Sequence, residues 1–467
     1  MASQALTAYS KRQTLQAITR QVKVSFVSRP FRTSTYRTAG RLSNPFVSRS
    51  KPSLNYQSLR TYSSVELPQS QAALQGIDPF YLRDSCNCSK CVDVSTRQKR
   101  FETSDIPLDL AYKNHKWTPT GQLQISWRND IPGYENHQSL YEPGFLLNSK
   151  SAEQRSQACH NLWTHVPWTK QDIVEKLDSI SFDYKDYMND SETLWQALEH
   201  LHTYGLVFIR DAPTEETTSE GVANRIGPMK NTMYGMTWSV KSRPSAKNVA
   251  YTSGNLDFHM DLLYLADPPT VQFLHVLKQS TTGGESRFSD AVAAFDRLQK
   301  EYPEFVQPLV EFPMTYHYKN DSLNSTNDGH WLQQTRYFLE GGTTGHNKPA
   351  GGQHYTYPID YEAINWSPPF QGPVERANVF AGSNDRATPA FKEYIRAAKK
   401  FKELVSAESA VFELKMGEGL CVVFNNRRVL HARKPFSSTA GGERLLVGGY
   451  VDGDYLRDKY RYMKEMR

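Results

Sequence analysis

The 467-residue chain contains no run of about 18 uncharged apolar residues, so no transmembrane helix is expected. Cysteine is scarce. Of the five, Cys86, Cys88 and Cys91 crowd together, while Cys159 and Cys421 stand alone. An odd count with that spacing does not read as a disulfide framework. Acidic residues are missing from the first 65 positions, which hold 11 Lys or Arg; the first carboxylate is Glu66. The remainder therefore has 55 − 11 = 44 basic residues against 49 acidic ones, a balance of −5. The net charge of +6 belongs to the leader, and the body is not a nucleic-acid surface. No internal repeat is present.

The leader is rich in Arg, Ser, Thr and Gln and alternates basic with apolar residues. It lacks the apolar core of a secretory signal. The composition reads as a mitochondrial transit peptide for the matrix, with a processing site near Arg60-Thr61-Tyr62-Ser63-Ser64. The competing reading is a basic arm for nucleic acid or membrane, and the composition favours targeting over it.

Three regions are expected: residues 1–65 as leader, 66–150 as a small N-terminal β domain, and 151–467 as a larger domain. Alternation in Gln122-Leu123-Gln124-Ile125-Ser126-Trp127 predicts a strand. Residues 150–203 read as largely helical. Ser191 is placed to cap a helix with Leu194, Trp195, Leu198 and Leu201 on one face. Gly205 ends it, and strands follow at 206–209, 271–277, 410–415, 420–424 and 445–450. A helix at 389–405 would turn Phe391, Tyr394, Ile395, Ala398 and Phe401 inward. A Gly-rich stretch at 341–353 marks a surface insertion near 318–372. Many short strands with long excursions predict a mainly β fold, a barrel or jelly roll with helical decoration.

His259 and Asp261, two apart in Leu256-Asp257-Phe258-His259-Met260-Asp261, would share one face of a strand. His431, in Val429-Leu430-His431-Ala432-Arg433, follows an apolar strand that can return it to the same cavity. Two His and one carboxylate on one octahedral face form the facial triad of non-haem Fe(II) oxygenases. His-x-Asp alone is weak, since a buried His bonded to an Asp is the commoner meaning. Arg444, thirteen residues after His431, strengthens it, because a guanidinium there can grip the distal carboxylate of 2-oxoglutarate. Ser286 can donate a further bond. Cys86-x-Cys88-x2-Cys91 puts three thiolates within six residues, the start of a closed Zn(II) site, a redox cluster or unligated thiols.

Residues 78 to the C-terminus resemble the γ-butyrobetaine and trimethyllysine dioxygenase family, within the taurine-dioxygenase-like superfamily. The carrying segments are 82–91, Tyr234-Gly235-Met236-Thr237-Trp238, 248–261, Gln272-Phe273-Leu274-His275, 278–285, 425–433 and 444–450. The resemblance implies a double-stranded β-helix (jelly-roll) oxygenase core beside a small zinc-binding β domain. It implies Fe(II) held by His259, Asp261 and His431, and 2-oxoglutarate beside Arg444, Ser286 and Leu274. O2 would be the second cosubstrate and ascorbate a stimulant. Structural Zn(II) would be held by Cys86, Cys88, Cys91 and His137. A homodimer is expected on the same ground.

Tyr234, Trp238, Tyr251 and Tyr450 match positions that form an aromatic cage for a trimethylammonium group. Tyr234 and Trp238, four apart, would sit side by side on a helical turn. Asn248 matches a position that binds the substrate carboxylate. The implied reaction is hydroxylation of a small trimethylammonium acid, γ-butyrobetaine to carnitine. Trimethyllysine 3-hydroxylation, a relative with another small substrate, and a catalytically silent zinc-bearing scaffold are the rivals. The pattern departs at Leu262, where a polar aromatic is expected, and at Ile364-Asn365-Trp366-Ser367-Pro368-Pro369-Phe370, where an Asn-Asn pair is expected.

Overall fold

The computed structural model describes residues 76–151, 154–155, 165–241, 254–279, 282–320, 329–341, 362–375, 390–437 and 443–467. The expected leader, Asn248, Tyr251 and residues 342–353 of the Gly-rich stretch lie outside the described residues.

Near the N-terminus, Ala111–Trp117, Leu123–Arg128 and Gln138–Tyr141 pair in that order as an antiparallel sheet. Leu123, Ile125 and Trp127 alternate inward and share a core with Leu82, Phe101, Leu110 and Tyr141. Such period-two burial is what a sheet with one covered face requires.

Two further sheets form the main body. The larger has six strands in the order Ser181–Asp183, Leu206–Arg210, Cys421–Asn425, Val271–Gln279, Arg444–Val451 and Thr237–Lys241. All its pairings are antiparallel except that of the first two strands. The smaller has four antiparallel strands in the order Phe412–Leu414, Ser286–Asp290, Val429–Arg433 and Leu256–His259.

The sheets pack face to face. Leu206, Phe208, Leu274, Val422 and Phe424 of the larger sheet share a cluster with Phe288, Phe412 and Val429 of the smaller. The alternate residues Val207, Ile209, Phe273 and Val423 face outward onto the helix Ser191–Thr203 through Leu194, Leu198 and Leu201. The smaller sheet is covered likewise. Phe258, Leu430 and Ala432 pack with Phe295 and Phe401 of the helices Ala291–Glu301 and Phe391–Val405. This two-sheet arrangement is that of a jelly roll.

One buried ion pair ties the sheets to their surroundings. Arg428 and Asp290 have side chains 2% and 0% exposed, with Nη2 to Oδ2 at 2.8 Å. Arg428 also donates to the carbonyls of Thr203 and Val166, and Asp290 accepts from the Trp168 amide.

Several local expectations change. The helix Ser191–Thr203 is capped by Asp190, whose carboxylate accepts from the Thr193 amide; Ser191 is its first residue. Residues 165–203 contain an edge strand, Ser181–Asp183, because Phe182 completes the apolar surface beside Leu206–Arg210. The helix Phe391–Val405 buries Tyr394, Ala397, Phe401, Leu404 and Val405 and leaves Phe391 and Ile395 exposed. The described ends of the expected surface insertion are structural. Met314–Asn320 and His330–Arg336 form a hairpin. Asn365, Trp366 and Ser367 are buried, and Ser367 donates to the Met260 carbonyl at 2.7 Å.

Removing one partner of a buried ion pair leaves the other charge uncompensated. Asp290→Ala is therefore expected to lower stability by roughly 3–5 kcal/mol, read by urea denaturation. A change below about 1 kcal/mol would show that Arg428 finds other anchors.

Candidate functional site

The pairing of Val429–Arg433 with Leu256–His259 sets His431 directly opposite His259. The two imidazole centroids are 4.1 Å apart. His259 is the last residue of its strand, so Asp261 is not held by strand pairing. Instead the Asn426 side chain stands in for a neighbouring strand. Its Oδ1 accepts from the Asp261 amide at 2.7 Å, and its Nδ2 donates to the Asp261 and Pro269 carbonyls. Leu262 then takes a left-handed backbone (φ 63°), which turns the chain away.

Within this frame His259 Nε2 lies 3.3 Å from Asp261 Oδ1, and His431 Nε2 lies 3.9 Å from Asp261 Oδ2. His259 Nδ1 is 2.8 Å from the Asp257 carbonyl. That contact fixes Nδ1 as the protonated nitrogen and frees the Nε2 lone pair. Burial, with His259 beside it, pushes the His431 imidazole down to about 3, so its lone pair is available at neutral pH. Burial would raise the Asp261 carboxyl, but the neighbouring His259, His431 and Tyr450 outweigh it and hold it well below the usual range. Cis donors on an octahedral ion with bonds of about 2.1 Å sit about 3 Å apart. The three side chains fit one divalent ion with open positions.

Arg444 opens the strand Arg444–Val451 and is buried, and its Nε has no hydrogen-bond partner among the described residues. Burial, and the neighbouring Arg433, push the guanidinium down to about 10. Both guanidinium carbons lie over the Phe436 ring, at 5.5 Å for Arg444 and 5.0 Å for Arg433. Gly284 (φ 76°) borders the Arg444 side chain; an added Cβ would lie 3.5 Å from Nε. A buried cation with an unsatisfied N–H favours an anion. Ser286 is buried on the neighbouring sheet opposite Arg433, and Leu274 is buried opposite Gly448.

Arg444, Leu446, Gly448 and Tyr450 alternate onto one face of their strand. Tyr450 stacks against Trp238, with centroids 5.8 Å apart. Gly448 makes room for that indole, since a Cβ there would collide with the Trp238 ring. Tyr234 and Trp238 do not share a helical turn. Tyr234 sits in the turn closed by Thr232 and Gly235, and Trp238 lies on the edge strand Thr237–Lys241. Tyr234 meets Tyr264 hydroxyl to hydroxyl at 3.3 Å and Tyr318 edge to face at 6.0 Å. Phe370 lies 5.4 Å from Tyr264 and 6.4 Å from His259. Tyr264, Tyr318 and Phe370 thus join an aromatic wall that sequence reasoning missed. Gln272 and Asn426 were missed too. Tyr264 was legible as the first aromatic after His259-x-Asp261, whereas Tyr318 and Phe370 arrive from distant segments.

A second cluster lies near the N-terminus. Cys86, Cys88 and Cys91 place Sγ atoms 3.6, 3.3 and 3.3 Å from His137 Nε2. A tetrahedral zinc with bonds of about 2.3 Å to sulfur and 2.0 Å to nitrogen separates those atoms by about 3.5 Å. Bonding from the Cys91 thiol is the largest influence that brings Cys86 down to about 3, and so supplies a thiolate. Asp130 bridges His137 Nδ1 at 3.3 Å and Arg83 Nε at 2.5 Å, orienting the imidazole.

A sheet carrying His259 and His431, with Asp261 just past its edge strand, facing a second sheet that carries a buried guanidinium, defines a non-haem metal oxygenase. The family model of the taurine catabolism dioxygenase TauD, TfdA family matches residues 168–450, and the chain belongs to that family. It is a dioxygenase of the Fe(II)/2-oxoglutarate class. It is 35% identical over 400 residues to Dioxygenase str8 of Strobilurus tenacellus, covering 83% of this chain and 85% of that one. Gamma-butyrobetaine dioxygenase of Pseudomonas sp. (strain AK-1) is 27% identical, covering 81% and 89% respectively. Trimethyllysine dioxygenase of Meyerozyma guilliermondii is 25% identical, covering 81% and 88%. The cysteine cluster lies outside the segment that the family model matches.

Gly448→Ala is expected to displace the Trp238 indole and so alter the near-ultraviolet circular dichroism of the folded protein. An unaltered spectrum would mean that the slot is not set by this glycine.

Proposed function

We propose that the protein hydroxylates a small trimethylammonium carboxylic acid, γ-butyrobetaine to carnitine, in the mitochondrial matrix. His259, Asp261 and His431 hold Fe(II). Arg444, with Ser286 and Leu274 beside it, receives the distal carboxylate of 2-oxoglutarate. The observation that carries the substrate class is the aromatic wall next to the metal donors. Trp238 and Tyr450 stack there, and Tyr234 and Phe370 stand near by. A quaternary ammonium donates no hydrogen bond, and ring faces hold it at about 0.5–2 kcal/mol each. Asn248 and Tyr251, outside the described residues, complete the proposed site as carboxylate and cage partners.

Bound iron supplies oxygen activation coupled to decarboxylation of the cosubstrate. This chain supplies position and a dry cavity. The Arg444 guanidinium fixes the cosubstrate by two parallel bonds. The rings fix the cationic end of the substrate and exclude water from the reacting carbon.

A second reading, a relative acting on another small acid, rests on one residue. Leu262 stands beside Asp261 where a polar aromatic is expected, and its side chain is buried. The test is a side-by-side assay of γ-butyrobetaine and trimethyllysine with Fe(II) and 2-oxoglutarate. The expected result is carnitine and equimolar succinate from the first substrate. Turnover of trimethyllysine alone would reassign the substrate, and turnover of neither would remove the trimethylammonium class.

We also propose that Cys86, Cys88, Cys91 and His137 hold a structural zinc that clamps the N-terminal sheet. The wild-type chain is expected to carry one zinc by elemental analysis, and Cys88→Ser to lose it and melt earlier. A metal-free wild type of full stability would remove the zinc. The acid-free leader supports the location. A mitochondrial human trimethyllysine dioxygenase, 26% identical over 244 residues and covering 52% of this chain and 55% of that one, adds weak support.

A further inference from the structure

Tyr450 does two things at once. Its ring stacks on Trp238, and its hydroxyl lies 2.8 Å from Asp261 Oδ2. The same oxygen accepts from Gln272 Nε2, also at 2.8 Å. A carboxylate oxygen has two lone-pair sites, so both on Oδ2 are taken. Oδ1 faces His259 Nε2 at 3.3 Å and accepts no hydrogen bond from Gln272 or Tyr450, whereas His431 Nε2 stands farther off, 3.9 Å from Oδ2. Gln272 and Tyr450 are opposite each other across the pairing of Val271–Gln279 with Arg444–Val451, and both are buried. Their donors therefore approach Asp261 from a rigid surface. The Asn426 clamp holds the Asp261 backbone from another direction.

We infer that Tyr450 and Gln272 are positioning residues that cap Asp261 Oδ2 and leave Oδ1 alone to bind the metal. Asp261 is then a one-oxygen ligand, and no coordination position is lost to its second oxygen. The same tyrosine forms part of the substrate-facing wall, so a group pressing on its ring bears on the iron carboxylate. This inference rests on the reading of His259, Asp261 and His431 as the metal site.

Tyr450→Phe keeps the ring and deletes the hydroxyl, and it needs no new space. The probe is Mn(II), titrated into full-length protein without oxygen; free hexaaqua Mn(II) is read by electron paramagnetic resonance. Loss of an outer hydrogen bond to a ligand typically weakens metal binding 10- to 100-fold, so a rise in Kd of about 10-fold is expected for Tyr450→Phe. Trp238→Phe shrinks the stacking partner and leaves the hydroxyl bond, and it should bind Mn(II) as the wild type does. A Tyr450→Phe Kd equal to that of the wild type, with one Mn(II) bound, would overturn the capping role. An equal rise in Kd for Trp238→Phe would overturn it as well, since wall packing rather than the hydroxyl would then be responsible. A wild type that takes up no Mn(II) would remove the metal site on which the inference stands.

Discussion

The pairing that puts His431 opposite His259 is the constraint on which everything else depends. A slip of one residue in an antiparallel pair turns every side chain to the other face. Here that slip would drive His431 into the helix-covered core and bring Leu430 into the cavity. The register is held by burial on both sides. Leu430, Ala432 and Phe258 pack outward under the helices, while Val429 packs inward between the sheets. Arg428 and Asp290 pin the start of the His431 strand to the segments behind it, Asp290 ending the strand on its other side. The position of the two imidazoles is therefore a product of core packing.

Asp261 depends on a different device. The strand ends at His259, and backbone groups that leave a sheet need other partners when buried. Asn426 supplies one donor and one acceptor to the Asp261 peptide groups, imitating the missing strand. The left-handed Leu262 that follows is a cost of roughly 1–3 kcal/mol, tolerated because the surrounding packing fixes it. Arg444 adds a second cost, a buried guanidinium close to another. Groups arranged at such expense are typical of sites shaped for a ligand rather than for stability. Arg444 keeps an unsatisfied N–H ready for an anion, and Asp261 keeps one oxygen ready for a cation.

Much of this was legible from residue order. Strong periodicity located the strands at Leu123–Arg128, Leu206–Arg210, Val271–Gln279 and Arg444–Val451, because burial on one or both faces imprints the pattern directly. The errors fall where a neighbour decides. Asp190 displaced Ser191 as a cap because its carboxylate reaches the Thr193 amide. The helix Phe391–Val405 turns a stripe slightly different from the expected one inward. Its partners Phe338 and Trp366 come from segments whose arrival no local pattern announces. Tyr234 and Trp238 are neighbours in order but sit on a turn and a strand.

By itself the order of residues determined the chemistry on offer. His259, Asp261 and His431 offer metal-donor atoms, Arg444 offers a guanidinium suited to an anion, Cys86, Cys88 and Cys91 offer soft donors close in the chain, and the first 65 residues carry no acid. Identity and spacing suffice there because donor type and local reach are properties of the chain. Only the tertiary structure decided which groups orient them. Asn426 on the Asp261 backbone, Gln272 and Tyr450 on its carboxylate, and Gly448 behind Trp238 act from 11 to 210 residues away. Hydrogen bonds of this kind are set by how two sheets close on each other, and such closure leaves no periodic mark in a sequence.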